Sequence, residues 1–344
     1  MRLWDDIGVD LGTSTVIIYI RGRGVCLREP SVIAITRDTR EFKAVGEEAK
    51  KMLGRTPGNI VVIRPMKDGV IADYDLTEKM LKKFLQKVRV GVSRFFRPQI
   101  MVCVPSGVTD VEKRAVLQAV REVSARRAYL IEEPLAAAIG AGIKIEEPTG
   151  SMVVDVGGGT SDIAIISLGG IVVSESLRIA GNEFDEAIIR YMRRKENLMI
   201  GDRTAEEVKI AIGAATMTED SQNLSTELRG RDLLNGLPKA VTITTADIVE
   251  ALEEPLQKIV DGVKRVLEST PPELVSDVIN RGVIMTGGGS LLRNFDELLR
   301  RATGIPVSVA ENATDSVALG TGQALEMMHI LKDALVSADS LLRR

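Results

Sequence analysis

Three glycine turns in this 344-residue chain carry the residue types that hold phosphate. The first, "VDLGTST", ends an apolar run on Asp10 and follows it with Gly12, Thr13 and Ser14. The second, "VVDVGGGTSD", repeats the arrangement with Asp155, Gly157, Gly158, Gly159 and Thr160. Tight turns of Gly, Thr and Ser present consecutive backbone N–H groups and hydroxyls into one concavity, an anion nest. A carboxylate at the mouth of such a nest repels phosphate unless a cation lies between them. Mg2+ takes oxygen ligands and keeps several waters, so Asp10 and Asp155 are candidate holders of a hydrated Mg2+. The third turn, Gly287, Gly288 and Gly289, follows an apolar stretch, and its bare backbone would let a nucleotide approach closely. A single glycine turn has the ordinary hairpin as its plain alternative. A duplicated Asp-Gly-hydroxyl turn with a third glycine cluster points to a nucleotide polyphosphate. The chain has no G-x-x-x-x-G-K-S/T string and no Rossmann fingerprint in its first strand–helix unit.

These turns sit in a chain whose strands and helices alternate, an α/β pattern. "IGVDL" and "TVIIYI" read as strands about a turn, and "MVVDV" and "DIAIISL" repeat them about 145 residues later. A repeat of that period marks a duplicated domain rather than a solenoid. "QIMVCV" reads as a short apolar strand. Residues 75–90 place Leu76, Met80, Phe84 and Val88 at every fourth position, with Leu81 and Leu85 beside them, as one apolar helical face. "TDVEKRAVLQAV" opens with Thr109 and Glu112 at capping-box spacing, a helix start. "GVIMT" leads through "GGGS" into a helix over "LLRNFDELLRR". Residues 218–238 are the most polar stretch and read as loop.

Charge is uneven along this pattern. From Lys79 to Arg97 there are seven basic residues (Lys79, Lys82, Lys83, Lys87, Arg89, Arg94, Arg97) and no acid. Two of the six phenylalanines, Phe95 and Phe96, lie in "GVSRFFRP" between Arg94 and Arg97, and Gly, Ser and Pro mark that stretch as a surface loop. A basic face beside two exposed aromatics suits an anionic membrane surface. The plain alternative folds both rings into the core and leaves the lysines as a solvated face. Burying two Phe gains roughly 3 to 6 kcal/mol, and each nearby cation adds about 1 kcal/mol on an anionic surface. Immobilisation takes back much of this. One copy would attach weakly, and a polymer repeating the loop would bind by avidity.

Composition narrows the classes further. With 44% hydrophobic and 27% charged residues the chain can bury a large core. A net charge of -3 argues against nucleic acid as a partner. Cys26 and Cys103 are far apart, so neither a disulfide framework nor a zinc-type cluster is expected, and a reducing cytoplasm fits. His329 is the only histidine, which makes a His-dependent triad improbable. The opening "MRLWDDIGVD" has no signal-peptide run, and no segment approaches 18 uninterrupted apolar residues.

"DLGTST", "RPMKDGVIADY", "IEEPLAAAIGAG", "MVVDVGGGTSD", "GDRTAEEVKI", "TPPELVSDVINRGVIMTGGGSLL" and "VALGTG" resemble the MreB family of bacterial actins, in the actin and sugar-kinase superfamily. The resemblance runs from Ile7 to about Leu331. It implies an actin-like two-lobed α/β fold: duplicated mixed sheets flanked by helices, with an inserted subdomain in each lobe. The implied division is 1–31 and 75–147 for the first lobe core, with 32–74 as its small insertion. The second lobe core is 148–181 and 246–330, with insertion 182–245, and 331–344 is a tail. The resemblance further implies ATP and Mg2+ in the cleft. Its phosphate loops fall on Gly12 to Ser14 and Gly157 to Thr160, and its water-mediated Mg2+ carboxylates on Asp10 and Asp155. "IEEP" places the family's water-orienting glutamate at Glu133, with Glu132 beside it, and catalysis falls to Glu133 and Thr160. The plain alternative for Glu133 is an acid favoured by a helix N-terminus. In "RTAEEVK", Glu206 and Lys209 share one helix face at a spacing that can bracket a ribose and adenine edge, or form an i,i+3 ion pair. Where MreB proteins usually carry two threonines, this chain has Thr160 and Ser161, which keeps the hydroxyl and loses a methyl group.

The implied activity is that of a slow ATPase forming homopolymeric, paired filaments. These would lie on the inner face of the plasma membrane and organise cell-wall synthesis with the elongation machinery and its membrane adaptors. Membrane contact would fall on Phe95, Phe96, Arg94 and Arg97. A sugar kinase or heat-shock-type ATPase of the same superfamily is the alternative class. The first would need a catalytic base beside a sugar pocket, for which no stretch stands out, and the second a C-terminal substrate-binding domain.

Overall fold

Two sheets of the same strand order and sense organise the chain, as the repeated strand–turn–strand pattern demands. The computed structural model describes residues 6–88, 98–122, 125–219, 222–331 and 334–337. The first part runs β1 (Ile7–Leu11), β2 (Thr15–Ile20), β3 (Gly24–Pro30), β4 (Ile33–Thr36), β5 (Phe42–Val45), α1 (Glu47–Met52), β6 (Ile60–Ile63), β7 (Met66–Lys67) and β8 (Val70–Ile71). It continues with α2 (Tyr74–Val88), β9 (Gln99–Val104), α3 (Asp110–Glu122), β10 (Arg127–Glu132) and α4 (Glu133–Gly140). The second part runs β11 (Ser151–Val156), β12 (Ser161–Ser167), β13 (Gly170–Leu177), α5 (Gly181–Glu196), β14 (Leu198–Met199), α6 (Asp202–Ile212), β15 (Ser225–Asp232) and β16 (Pro238–Thr244). It ends with α7 (Thr245–Glu268), α8 (Pro272–Arg281), β17 (Val283–Thr286), α9 (Phe295–Thr303), β18 (Val307–Val309), α10 (Ser316–Ala324) and β19 (Val336–Ser337).

The larger sheets are ordered β19-β10-β9-β1-β2-β3 and β18-β17-β11-β12-β13. In each, an antiparallel hairpin (β1–β2, β11–β12) joins a strand that pairs in parallel with a later one (β9, β17). The duplication seen in two short strings therefore extends to whole sheets. Smaller sheets are β5-β4-β6 and β14-β15-β16.

Helices cover both faces of the sheets, which is why β11 is buried along its whole length. α2 turns Leu76, Met80, Leu81, Phe84, Leu85 and Val88 inward and leaves Lys79, Lys82, Lys83 and Lys87 exposed, as its spacing predicts. Thr109 and Glu112 exchange the expected capping bonds at α3: the Thr109 N–H donates to Glu112 Oε2 at 2.7 Å and the Glu112 N–H to Thr109 Oγ1 at 3.3 Å. α4 and α10 lie between the two sheets, and one core unites them with Met101 and Cys103 of β9 and Val153 of β11. Their crossing is tight: a Cβ at Gly140 or Gly320 would run into the backbone of the other helix. Among the described residues, no helix is long and apolar enough to cross a membrane.

Two expectations need correction. Residues 218–238 are not simply loop: β15 pairs with β16 from Ser225↔Thr244 to Arg231↔Pro238. Along β15 only Leu228 is buried, so both faces meet water and the alternation that betrays a strand is missing. The helix expected over "LLRNFDELLRR" begins only at Phe295, because Gly288–Leu291 is a single 3-10 turn and Asn294 adopts φ +59° just before α9.

Candidate functional site

The paired hairpins aim their turns at one another across a cleft of about 780 Å3. It is bordered by Asp10, Gly12, Thr13 and Ser14 from one hairpin and by Asp155, Gly157, Gly158, Gly159 and Thr160 from the other. Glu133, Glu206, Lys209, Gly287, Gly288 and Gly289 also border it. Residues from Asp10 to Gly289, 279 positions apart, thus meet in one site. Arg94, Phe95, Phe96 and Arg97 lie outside the described residues.

The turns interlock. A Cβ at Gly158 would collide with Ser14 Oγ and Cβ, and one at Gly159 would lie 2.5 Å from Thr13 Oγ1. The hydroxyl face of the first turn therefore sits on the bare backbone of the second. Ser14 Oγ donates to Asn182 Oδ1 at 3.0 Å, and Thr13 Oγ1 accepts the Gly69 N–H at 2.8 Å. The start of α5 braces the second turn: the Gly181 and Asn182 N–H groups donate to the Gly157 and Gly158 carbonyls at 3.2 and 2.8 Å. Gly287 has φ +81° and lies so close to the Val156 backbone that no side chain fits, which lays the third glycine turn against the end of β11.

Beneath the turns lie four carboxyl groups. Asp10 comes from β1, Asp155 from β11, Asp162 from β12 and Glu133 from the first residue of α4. Asp155 and Asp162 are direct partners across the antiparallel pair. Asp155 Oδ1 accepts from Thr286 Oγ1 at 2.6 Å, and Asp162 Oδ1 accepts the Ser106 N–H at 2.9 Å. The Cys103 thiol donates to Asp10 Oδ1 at 3.5 Å and lies 3.8 Å from Glu133 Oε1. Burial pushes both Asp10 and Asp155 up to about 7. Glu133 is held well above the ordinary carboxylate range, first by burial and then by the charges of Asp162, Asp10 and Asp155. Glu132 points elsewhere, accepting from Ser106 Oγ at 2.9 Å. Glu133 thus stands at a helix N-terminus and borders the cleft at once.

This donor set fits Mg2+. Hard carboxylate oxygens are its ligands, and like charges crowded in a desolvated floor favour a cation. Asp10 and Asp155 would hold it.

At the outer end, Glu206 and Lys209 do not pair with each other. Glu206 meets Lys50 at 3.0 Å, while Lys209 meets Asp185 and the Gly181 carbonyl, each at 2.8 Å. Beside them, Ile210 (72% exposed) and Leu291 (58% exposed) form apolar lips of the cleft. Sequence reading missed these two, and nothing in their local pattern singles them out. It also missed Arg28, whose guanidinium binds both carboxylate oxygens of Asp315 at the start of α10, Nε to Oδ1 at 2.8 Å. Asp162 carried a usable signal: with a four-residue turn at 157–160, a strand residue two positions beyond it must face Asp155. Ser161 is fully buried and donates to the Ile179 carbonyl at 2.6 Å, outside the cleft lining.

The model of the MreB/Mbl protein family matches residues 4–333. Cell shape-determining protein MreB of Escherichia coli (strain K12) is 52% identical over 328 residues, covering 94% of each chain. Cell shape-determining protein Mbl of Bacillus subtilis (strain 168) is 50% identical over 323 residues, covering 94% of this chain and 96% of the relative. The crystal structure of MreB 5 of Spiroplasma citri bound to AMPPNP superposes with a TM-score of 0.91 at 37% identity, over 97% of this chain and 99% of that one. A MamK double helical filament shares the fold, with a TM-score of 0.77 at 23% identity over 94% of this chain and 98% of that one. Two sheets of one topology, turns facing across a carboxylate floor, and a family match over nearly the whole length agree: the chain belongs to the MreB/Mbl family and has its actin-like, two-lobed fold.

Proposed function

We propose that the cleft binds ATP with Mg2+ and hydrolyses it slowly, in step with assembly of this chain into actin-like filaments. The observation that carries this reading is the interlocked pair of Gly-hydroxyl turns above Asp10, Asp155 and Glu133. The turns' N–H groups and hydroxyls take the phosphates, and Thr160 adds a hydroxyl beside them. Bound Mg2+ supplies positive charge that offsets the phosphates and the carboxylate floor. Glu133, bordering the cleft at the start of α4, orients a water for in-line attack. Ile210 and Leu291 cover the faces of the base, with Glu206 and Lys209 near the ribose. The solved relatives bound to AMPPNP and to ADP support an adenine nucleotide.

Filaments joined head to tail and paired would lie on the cytoplasmic face of the plasma membrane. Phe95, Phe96, Arg94 and Arg97 would touch anionic lipid, backed by the exposed lysines of α2. There they would organise cell-wall synthesis, and so rod shape, through the elongation machinery and its membrane adaptors. The relatives named as cell shape-determining support this role. The test is ATP turnover together with electron microscopy of the chain with ATP, with and without anionic liposomes. Turnover and filaments that coat the liposomes are expected. Absence of filaments across nucleotides and lipids would sink the assembly reading, and absence of turnover the ATPase reading.

A further inference from the structure

The two-cysteine sequence offers no metal-binding spacing, yet the fold brings Cys103 between two acids that lie 93 and 30 residues away. Sγ of Cys103 on β9, a carboxylate oxygen of Asp10 on β1 and one of Glu133 on α4 all lie within 4.8 Å of one another. Tetrahedral zinc with Zn–S of about 2.3 Å and Zn–O of about 2.0 Å sets its sulfur and oxygen ligands about 3.5 Å apart. The sulfur-to-oxygen distances here are 3.5 Å to Asp10 Oδ1 and 3.8 Å to Glu133 Oε1.

We propose that Asp10, Cys103 and Glu133 form a site for a thiophilic divalent cation of the zinc class, with the fourth position open to the cleft. Binding replaces the S–H bond by a metal–sulfur bond and any carboxyl O–H bond of Asp10 or Glu133 by a metal–oxygen bond, and releases those protons to solvent. Mg2+ does not compete for the sulfur, because it prefers oxygen ligands. Resting on the nucleotide reading above, the consequence is inhibition: a Glu133 and an Asp10 committed to zinc can neither orient the attacking water nor hold hydrated Mg2+.

The probe is Cd2+ added to the full chain, read by its sulfur-to-metal ultraviolet charge-transfer absorption, with Zn2+ as competitor. The absorption is expected in the unaltered chain and in Cys26→Ser, to be lost in Cys103→Ser, and to be displaced by Zn2+. No absorption in the unaltered chain, or absorption that survives Cys103→Ser, overturns the proposal. Circular dichroism checks that Cys103→Ser is folded. Should it not be, Glu133→Gln decides instead, with Cd2+ affinity expected to fall at least about tenfold and an unchanged affinity overturning the site. Zn2+ inhibition of ATP turnover that disappears in Cys103→Ser tests the consequence. A chain without turnover removes the nucleotide reading while the absorption still decides the metal site.

Discussion

The two hairpins that face each other across the cleft share a backbone plan and divide the chemistry. Each has an Asp at the end of its first strand and a four-residue turn, so Asp10 is opposite Ile17 and Asp155 is opposite Asp162. The first turn keeps the bulk, Thr13 and Ser14, and the second gives it up at Gly158 and Gly159 to receive them. Asp10 is half-buried and bonded by a thiol, whereas Asp155 is buried, bonded by the Thr286 hydroxyl and confronted by a second acid. Duplication supplied one scaffold. Its copies diverged so that one carries the shape and the other the charge.

The comparison breaks hardest where the charges converge, at Glu133. Glu133→Gln should cut ATP turnover by about 10²-fold or more, the loss typical of a removed proton acceptor. Nucleotide affinity measured by calorimetry should change little, and a parallel collapse of both would assign Glu133 to binding. The division of bulk is tested next by Gly158→Ala. Overpacking costs about 1 to 3 kcal/mol, so nucleotide affinity should fall by about 5- to 150-fold. Gly157→Ala, whose Cβ would sit 3.3 Å from the Thr160 carbonyl oxygen, should fall less. Equal losses would mean that the interlock does not matter.

The division of charge has a pH signature. Asp155 is raised from 3.8 to about 7, so between those values the folded chain retains a proton that the unfolded chain releases. Its stabilising effect is present at the acid end and lost as pH rises. In chelator and without nucleotide, the melting temperature should drop by several degrees from pH 5 to pH 8, taking roughly 2 to 4 °C per kcal/mol. Asp162→Asn should flatten that slope, since it removes the like charge facing Asp155, and a melting temperature that rises over this range would refute the account. Smallest is Lys50→Ala, which removes a half-exposed partner from Glu206. Its effect on stability should stay below about 1 kcal/mol, read by denaturant titration, and a larger loss would show that this pair holds the cleft closed.

Much was legible because periodicity and turn chemistry are local. The buried face of α2, the Thr109–Glu112 cap and both Asp-Gly-hydroxyl turns depend on neighbours a few residues away, which a string of letters displays. The strand Ser225–Asp232 was not legible, because a hairpin wet on both faces has no alternation to read. Nor was the short turn before Phe295, where glycine backbone against Val156 outweighed an apolar helical pattern. The Glu206–Lys209 spacing was read correctly as one helix face, but partners from α1 and α5 claimed the charges. By itself the sequence determined the duplicated α/β scaffold and the glycine, hydroxyl and carboxylate residues that come to border the cleft. Only tertiary structure decided that Ser14 rests on Gly158, that Asp162 confronts Asp155 within reach of Glu133, and that Cys103 lies between two acids. Burial and like-charge proximity arise from strands brought together over tens to hundreds of residues, and those contacts set protonation and interlock.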